Sequence, residues 1–168
     1  EIKKDCGRVH KVNTGIVTSC VVGLALSYYA WVVEIAKEQD DSYEAMCDIS
    51  EHISCTKAFM SEYGKGFGLI PRDSFFCVPN SIYGLVFYSI LAITSVFNRY
   101  SHAVTLVCLS ILSNISSIYL AWILYILNDI CIVCVSTYVV NAIVLILAVR
   151  KLRIVSRPVA ASSKRKRH

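Results

Sequence analysis

The hydrophobic pattern divides the chain into four apolar stretches joined by polar connections of very unequal length. Residues 12–35, 80–97, 103–127 and 130–149 each approach or exceed the run of about 20 residues that a helix needs to cross a bilayer. This predicts an all-α integral membrane protein, a four-transmembrane-helix bundle forming one domain over residues 1–168. Glu34 closes the first stretch, where a carboxylate would reach water. The second follows Pro79 and is expected to be capped by Asn80 or Ser81, the fourth by Asn128 or Asp129. Ser110, Ser113, Asn114, Ser116 and Ser117 give the third stretch small and polar side chains of the kind that let helices approach closely in lipid.

Residues 37–79 form the only long polar connection. Within it, Met46, Ile49, Ile53 and Phe59 recur at helical spacing, so 43–63 reads as a short amphipathic helix lying near the membrane surface. Gly64, Gly66 and Gly68 make a flexible turn. No strand precedes them and their spacing is wrong for a dinucleotide fold. The polar lead of residues 1–11 has the charge of a signal-peptide n-region, but the apolar run after it is too long for an h-region. It reads as a retained span. The chain does not begin with Met, which reads as a trimmed N-terminus.

Composition agrees with the pattern: 55% hydrophobic, 17% charged, mean hydropathy +0.55. A soluble domain carries about a quarter charged residues. The formal net charge of +5 invites a nucleic-acid reading, but its distribution points to membrane topology. Four Lys and Arg precede the first span, one lies between the second and third, and eight follow Val149, whereas residues 37–79 hold eight acidic residues against four basic ones. By the positive-inside rule both termini are cytosolic, and the long loop and the Asn128–Asp129 turn face the lumen. The basic tail 150–168 reads as a membrane-surface element, with no nucleic-acid partner. Its ending, Lys164 to His168, resembles the cytosolic di-lysine signal for retrieval to the endoplasmic reticulum.

Eight cysteines change the picture again. Cys20 and Cys108 lie inside apolar runs and read as small buried hydrophobes. Cys47, Cys55, Cys77, Cys131 and Cys134 all fall on the predicted lumenal side, where thiol chemistry meets an oxidising compartment. Cys131 and Cys134 are three apart at the start of a helix, on one face, so their sulfurs can close a ring with each other. Helix N-terminal N–H groups and the helix dipole favour a thiolate there, and the thiolate is the reactive form. The same stripe continues to Tyr138 and Asn141. One mobile pair and one embedded pair suit a relay of thiol–disulfide exchanges. The competing readings are a structural Cys47–Cys55 staple, a four-cysteine zinc site and a scaffold without catalysis. Short ligand spacing occurs in one pair only, which argues against zinc, so no metal is expected.

Together the motifs Tyr43 to Cys55, Gly64 to Leu69, Asn80 to Gly84, Tyr119 to Leu124, Cys131-Ile-Val-Cys134 and Thr137-Tyr138 resemble the vitamin K epoxide reductase family over nearly the full length. The resemblance implies a four-helix bundle capped by the lumenal loop, with the substrate's quinone ring between them. It implies that Cys134 is the catalytic thiolate and Cys131 its resolving partner. Cys55 would exchange with Cys131, and Cys47 would take electrons from a lumenal thioredoxin-like oxidoreductase. The redox-active disulfides would then be Cys131–Cys134 and Cys47–Cys55, with no permanently bound cofactor.

Asn80 and Tyr138 match the family's hydrogen-bond donors to the substrate carbonyls. Phe59, Tyr63, Tyr83, Phe87, Leu120 and Leu124 match positions lining its apolar pocket, where coumarin-type inhibitors also act. A monomer is the family expectation. Cys77 lies outside the relay that the resemblance implies, and residues 75–79 and 125–130 depart from vertebrate members. The implied activity is thiol-driven reduction of vitamin K epoxide to quinone and of quinone to hydroquinone in the endoplasmic reticulum membrane. The alternative is the reverse flow, a quinone-linked thiol oxidase that makes disulfides in client proteins.

Overall fold

The computed structural model of the chain describes the backbone of residues 2–50, 52–71 and 74–165, and the side chains of 7–50, 52–71 and 74–156. The side chains of the Lys164 to His168 ending, read above as a retrieval signal, lie outside the described residues. Among the described residues five α-helices follow one another: α1 (Ile2–Gln39), α2 (Cys55–Met60), α3 (Asn80–Val96), α4 (Tyr100–Leu127) and α5 (Ile132–Arg165), with a 3-10 turn at Gly66–Gly68. Among the described residues there is no strand beyond two isolated bridges, Ser50 with Ile53 and Lys65 with Pro79.

Among the described residues, three helices are long and apolar enough to cross a membrane: Gly7–Gln39, Tyr100–Leu127 and Ile132–Ser156. Helix α3 is apolar but only 17 residues long. At the α-helical rise that is about 25 Å, short of a hydrocarbon core of about 30 Å. Its ends are set locally. Pro79 stands at the N-cap, and Phe97 is extended at the other end. There the buried Lys151 ammonium of α5 donates to the carbonyls of Ser95 and Phe97. That contact satisfies two carbonyls that the helix terminus leaves open.

Helix α1 packs on α3 and α5, and α4 packs on α5. The α1–α3 approach is close because Gly23 and Gly84 sit in it. A Cβ on Gly23 would stand 2.5 Å from the Tyr88 ring, and one on Gly84 would stand 2.4 Å from Ser27 Oγ. Val21, Ile93, Ile118, Trp122, Val139 and Ile146 point outward and are exposed. An apolar exterior of this extent suits helices whose solvent is lipid. Inside, two clusters form. One joins Ala30, Val33, Phe59 and Val133 to Cys47, Cys55 and Cys131. The other gathers Ile16, Cys20, Tyr88, Leu91, Leu106, Val140 and Val144.

Several expectations are corrected. The amphipathic helix expected over 43–63 shrinks to Cys55–Met60. Residues 43–50 and 52–54 instead fold as turns around the Asp48 carboxylate and the Cys47–Cys55 disulfide. Neither Asn80 nor Ser81 caps α3 with its side chain. Asn128 does not begin the last helix. It ends α4 in a left-handed conformation, φ 51°, its N–H donating to the carbonyls of Leu124 and Tyr125. Asp129 does not cap α5 either; its carboxylate accepts from Ser54 and Ile130. Cys20 is buried as expected, but Cys108 lies on the exposed face of α4. Glu34 does not reach water. Because α1 continues to Gln39, the carboxylate is carried inside the bundle, where it is 3% exposed.

Candidate active site

The loop after α1 is built from side-chain hydrogen bonds where a helix would have used its backbone. Asp48 accepts from the Ala45 N–H at 2.8 Å, from Ser54 Oγ at 2.7 Å and from the Thr56 N–H at 3.0 Å, and also from the Thr56 hydroxyl. Burial pushes the Asp48 carboxyl up, but the hydrogen bonds from Thr56, Ser54 and Ala45 outweigh it and hold the group at about 2. Ser54, drawn into this network, caps α2 by accepting the Lys57 N–H at 3.2 Å. Cys55 is the first residue of that helix and is bonded to Cys47, over which the Tyr29 hydroxyl lies at 3.7 Å.

The same loop is fastened to the start of α5. The Ile130 N–H donates to the His52 carbonyl at 2.9 Å, and the Ser54 N–H donates to Asp129 Oδ1 at 3.2 Å. Cys131 takes the position expected for Asn128 or Asp129, its sulfur accepting the Cys134 N–H at 3.3 Å. Cys131 and Cys55 are both fully buried in one apolar cluster, and Cys134 packs against it. The helix pair is present as two thiols while the loop pair is a disulfide.

Cys134 opens onto a cavity of about 410 Å³. Phe59, Tyr63, Asn80, Tyr83, Phe87, Leu120, Leu124 and Tyr138, all singled out in the sequence, line it too. Cys131, Cys55 and Cys47 stand behind that wall. The polar groups of the cavity differ sharply in how they are used. The Asn80 amide accepts the Phe67 N–H at 2.9 Å and donates to the Tyr63 carbonyl at 2.7 Å, pinning the glycine turn as a lid. Tyr83 donates its hydroxyl to the Phe76 carbonyl. At the far end Tyr88 donates to Asn141 Oδ1 at 2.8 Å, and Asn141 donates to Ser117 Oγ at 2.9 Å.

Tyr138 is the exception. Its hydroxyl is buried and has no hydrogen-bond partner among the described residues. Leaving such a group unpaired costs roughly 1–3 kcal/mol, so it is a donor open to an acceptor placed in the cavity.

Sequence reasoning missed two lining groups. Glu34 accepts the Ser81 hydroxyl inside the cavity, joining α1 to α3. The available signal was its position: an ionisable residue within a span is a functional hypothesis by default. Ser81 was read as a cap alternative. The hydroxyl turns inward because the N-terminus of α3 meets α1 at that point.

A bundle of long apolar helices with a disulfide stacked behind a buried dithiol, and that dithiol opening on an apolar cavity, defines a membrane-embedded thiol oxidoreductase. The comparisons give the family. Residues 15–149 match the model of the vitamin K epoxide reductase family. The chain is 40% identical over 137 residues to vitamin K epoxide reductase complex subunit 1 of Rattus norvegicus, covering 79% of this chain and 85% of that protein. The Mus musculus protein of the same name matches to the same extent. The chain belongs to the vitamin K epoxide reductase family, and it is an oxidoreductase of that type.

Proposed function

We propose that the chain reduces vitamin K epoxide to the quinone, and the quinone to the hydroquinone, with electrons relayed through Cys47 and Cys55 to Cys131 and Cys134. The observation that carries the reading is the position of Cys134. It lies between the buried cysteine cluster and an apolar cavity into which the Tyr138 hydroxyl is buried with no hydrogen-bond partner among the described residues.

The Cys134 thiolate attacks an epoxide carbon and the carbon–oxygen bond breaks toward oxygen. The phenol of Tyr138 donates to that developing oxyanion, and Asn80 holds the lid over the ring. Cys131 then attacks the Cys134 sulfur. The disulfide forms, the carbon–sulfur bond breaks, and the ring double bond returns as the oxygen leaves as water. Two thiols become one disulfide and the epoxide becomes quinone. Quinone reduction uses the same adduct and displacement, with the two thiol protons ending on the two ring oxygens. Phe59, Tyr63, Tyr83, Phe87, Leu120 and Leu124 enclose the ring and its isoprenoid chain, and coumarin-type inhibitors share this volume.

In this reading α3 is the fourth span, the loop is lumenal, both termini are cytosolic and the monomer sits in the endoplasmic reticulum membrane. A lumenal thioredoxin-like oxidoreductase attacks Cys47. Met46, 91% exposed beside it, offers an apolar landing point.

The test uses membranes carrying the native chain or Cys134→Ala, supplied with a dithiol and vitamin K epoxide. Quinone and hydroquinone should form with the native chain and fall to background with the variant. Turnover that survives the substitution would remove Cys134 from the mechanism. Hydroquinone consumed while client disulfides appear would establish the opposite electron flow.

A further inference from the structure

Between the two cysteine pairs lies an acidic residue that the scheme above does not use. Asp129 sits in the turn between α4 and α5 and is 6% exposed. Its Oδ1 accepts the Ser54 N–H at 3.2 Å and the Ile130 N–H at 3.0 Å. Its Oδ2 is buried and has no hydrogen-bond partner among the described residues. Ser54 immediately precedes Cys55, and Cys131 follows Asp129 by two residues. This carboxylate therefore bridges the backbones that carry the two sulfurs required to exchange. Neither Cys55 nor Cys131 is exposed, so water is not at hand to take a thiol proton. The neighbouring carboxylates are committed elsewhere. Asp48 has both oxygens filled by Ala45, Ser54 and Thr56, and Glu34 is held by Ser81 on the cavity side.

We propose that Asp129 is the proton acceptor for thiol–disulfide exchange between Cys55 and Cys131, an inference that rests on the relay proposed above. Exchange needs a thiolate, and an ordinary thiol is mostly protonated near neutral pH. As Cys55 gives its proton to Asp129 Oδ2, its sulfur attacks Cys131 in the Cys131–Cys134 disulfide. The Cys55–Cys131 bond forms and Cys134 leaves as thiolate. Cys47 then attacks Cys55, its proton passing to the Cys134 thiolate. The Cys47–Cys55 disulfide closes, and Cys131 leaves and takes the proton held by Asp129. Two electrons and two protons move from the loop pair to the helix pair, and the carboxylate is regenerated.

The experiment counts electron pairs. The full chain, completely reduced and freed of reductant without oxygen, stores one pair in each dithiol. Mixed with excess vitamin K epoxide, the native protein should release product in two phases, the first from Cys131 and Cys134, the second after the loop pair has exchanged. Asp129→Asn keeps an oxygen for the Ser54 and Ile130 N–H groups but cannot accept the proton. It should leave the first phase, which uses neither the loop pair nor Asp129, and slow the second by roughly a hundredfold, as for loss of a general base. A second phase at the native rate would overturn the proposal. So would equal slowing of both phases, since that would make Asp129 a structural support. The relay itself fails on a different result: a native protein with one phase only, or a Cys55→Ser protein that keeps both.

Discussion

The loop around Asp48 and the cavity beside Cys134 both bury polar groups, but they treat them in opposite ways. Around Asp48 every oxygen is filled. The cavity leaves the Tyr138 hydroxyl without a partner. Among the described residues the loop has no sheet ladder and one short helix, so turn bonds and side chains together satisfy its backbone, and saturation holds it in a single shape. The cavity is held by helices whose backbones already satisfy themselves, so it can leave one phenol for a ligand. The first region holds its shape through saturated hydrogen bonds, and the second leaves a donor open toward the cavity.

The largest effect that would sharpen this contrast is Cys134→Ala, which should abolish turnover while leaving the bundle's melting temperature close to native. Next is Tyr138→Phe. Removing one donor to a developing oxyanion should lower kcat roughly a hundredfold, equivalent to about 2.7 kcal/mol in the barrier. Stability should move the other way, because a buried hydroxyl without a partner is removed along with its cost of roughly 1–3 kcal/mol. Loss of activity together with a raised melting temperature would be the signature of a group kept for chemistry. A Tyr138→Phe protein that is both active and unchanged in stability would break the contrast.

Much of this was legible in the sequence because period and spacing carry it. The long apolar runs became α1, α4 and α5, and Cys134 and Tyr138 face one volume because residues four apart share a helix face. What the sequence hid was decided by contacts between distant segments. Residues 43–54 have helical periodicity, yet Asp48 bonds Ala45, Ser54 and Thr56 and competes with the helix for the same backbone donors. Glu34 looked like a span terminus, but α1 runs on to Gln39 and places it opposite Ser81, 47 residues away along the chain. The Asn128 turn depended on α4 ending in a left-handed residue, for which Asn is one of the few tolerant side chains.

A smaller effect should come from the saturated side of the comparison. In Asp48→Asn only one of the two terminal atoms can still accept, so the amide NH2 meets donors. The substitution should cost roughly 1.5–3 kcal/mol, the range for hydrogen bonds to a charged group. It should also expose residues 43–54 to protease. The pH dependence has a definite sign. The carboxyl is held at about 2 in the folded loop, against about 3.9 unfolded. The native loop therefore keeps the full contribution above about pH 4 and loses it as pH falls toward about 2. Proteolysis of the loop across pH 5 to 2 should rise steeply in the native chain and hardly at all in Asp48→Asn. A native loop that opens already near pH 6 would show that another group holds it.

The smallest effect separates the far end of the cavity from its mouth. Tyr88 donates to Asn141, which donates to Ser117, so this set is satisfied without a ligand. Tyr88→Phe keeps the ring that packs over Gly23 and removes only the hydroxyl. The buried Asn141 oxygen then lacks that donor, at a cost of about 1 kcal/mol in stability. Because the network closes on itself and lies away from the sulfurs, kcat should change less than twofold. Asn141→Leu should lose more, since it strands the Tyr88 hydroxyl and also removes the donor to Ser117, which keeps its own bond to the Ser113 carbonyl. In a double variant the two changes should couple, because the bond between them can be lost only once. If Tyr88→Phe instead lowered kcat as far as Tyr138→Phe, the far end would belong to the reactive surface. The division between a saturated frame and the unpartnered Tyr138 donor would then have to be redrawn around both tyrosines.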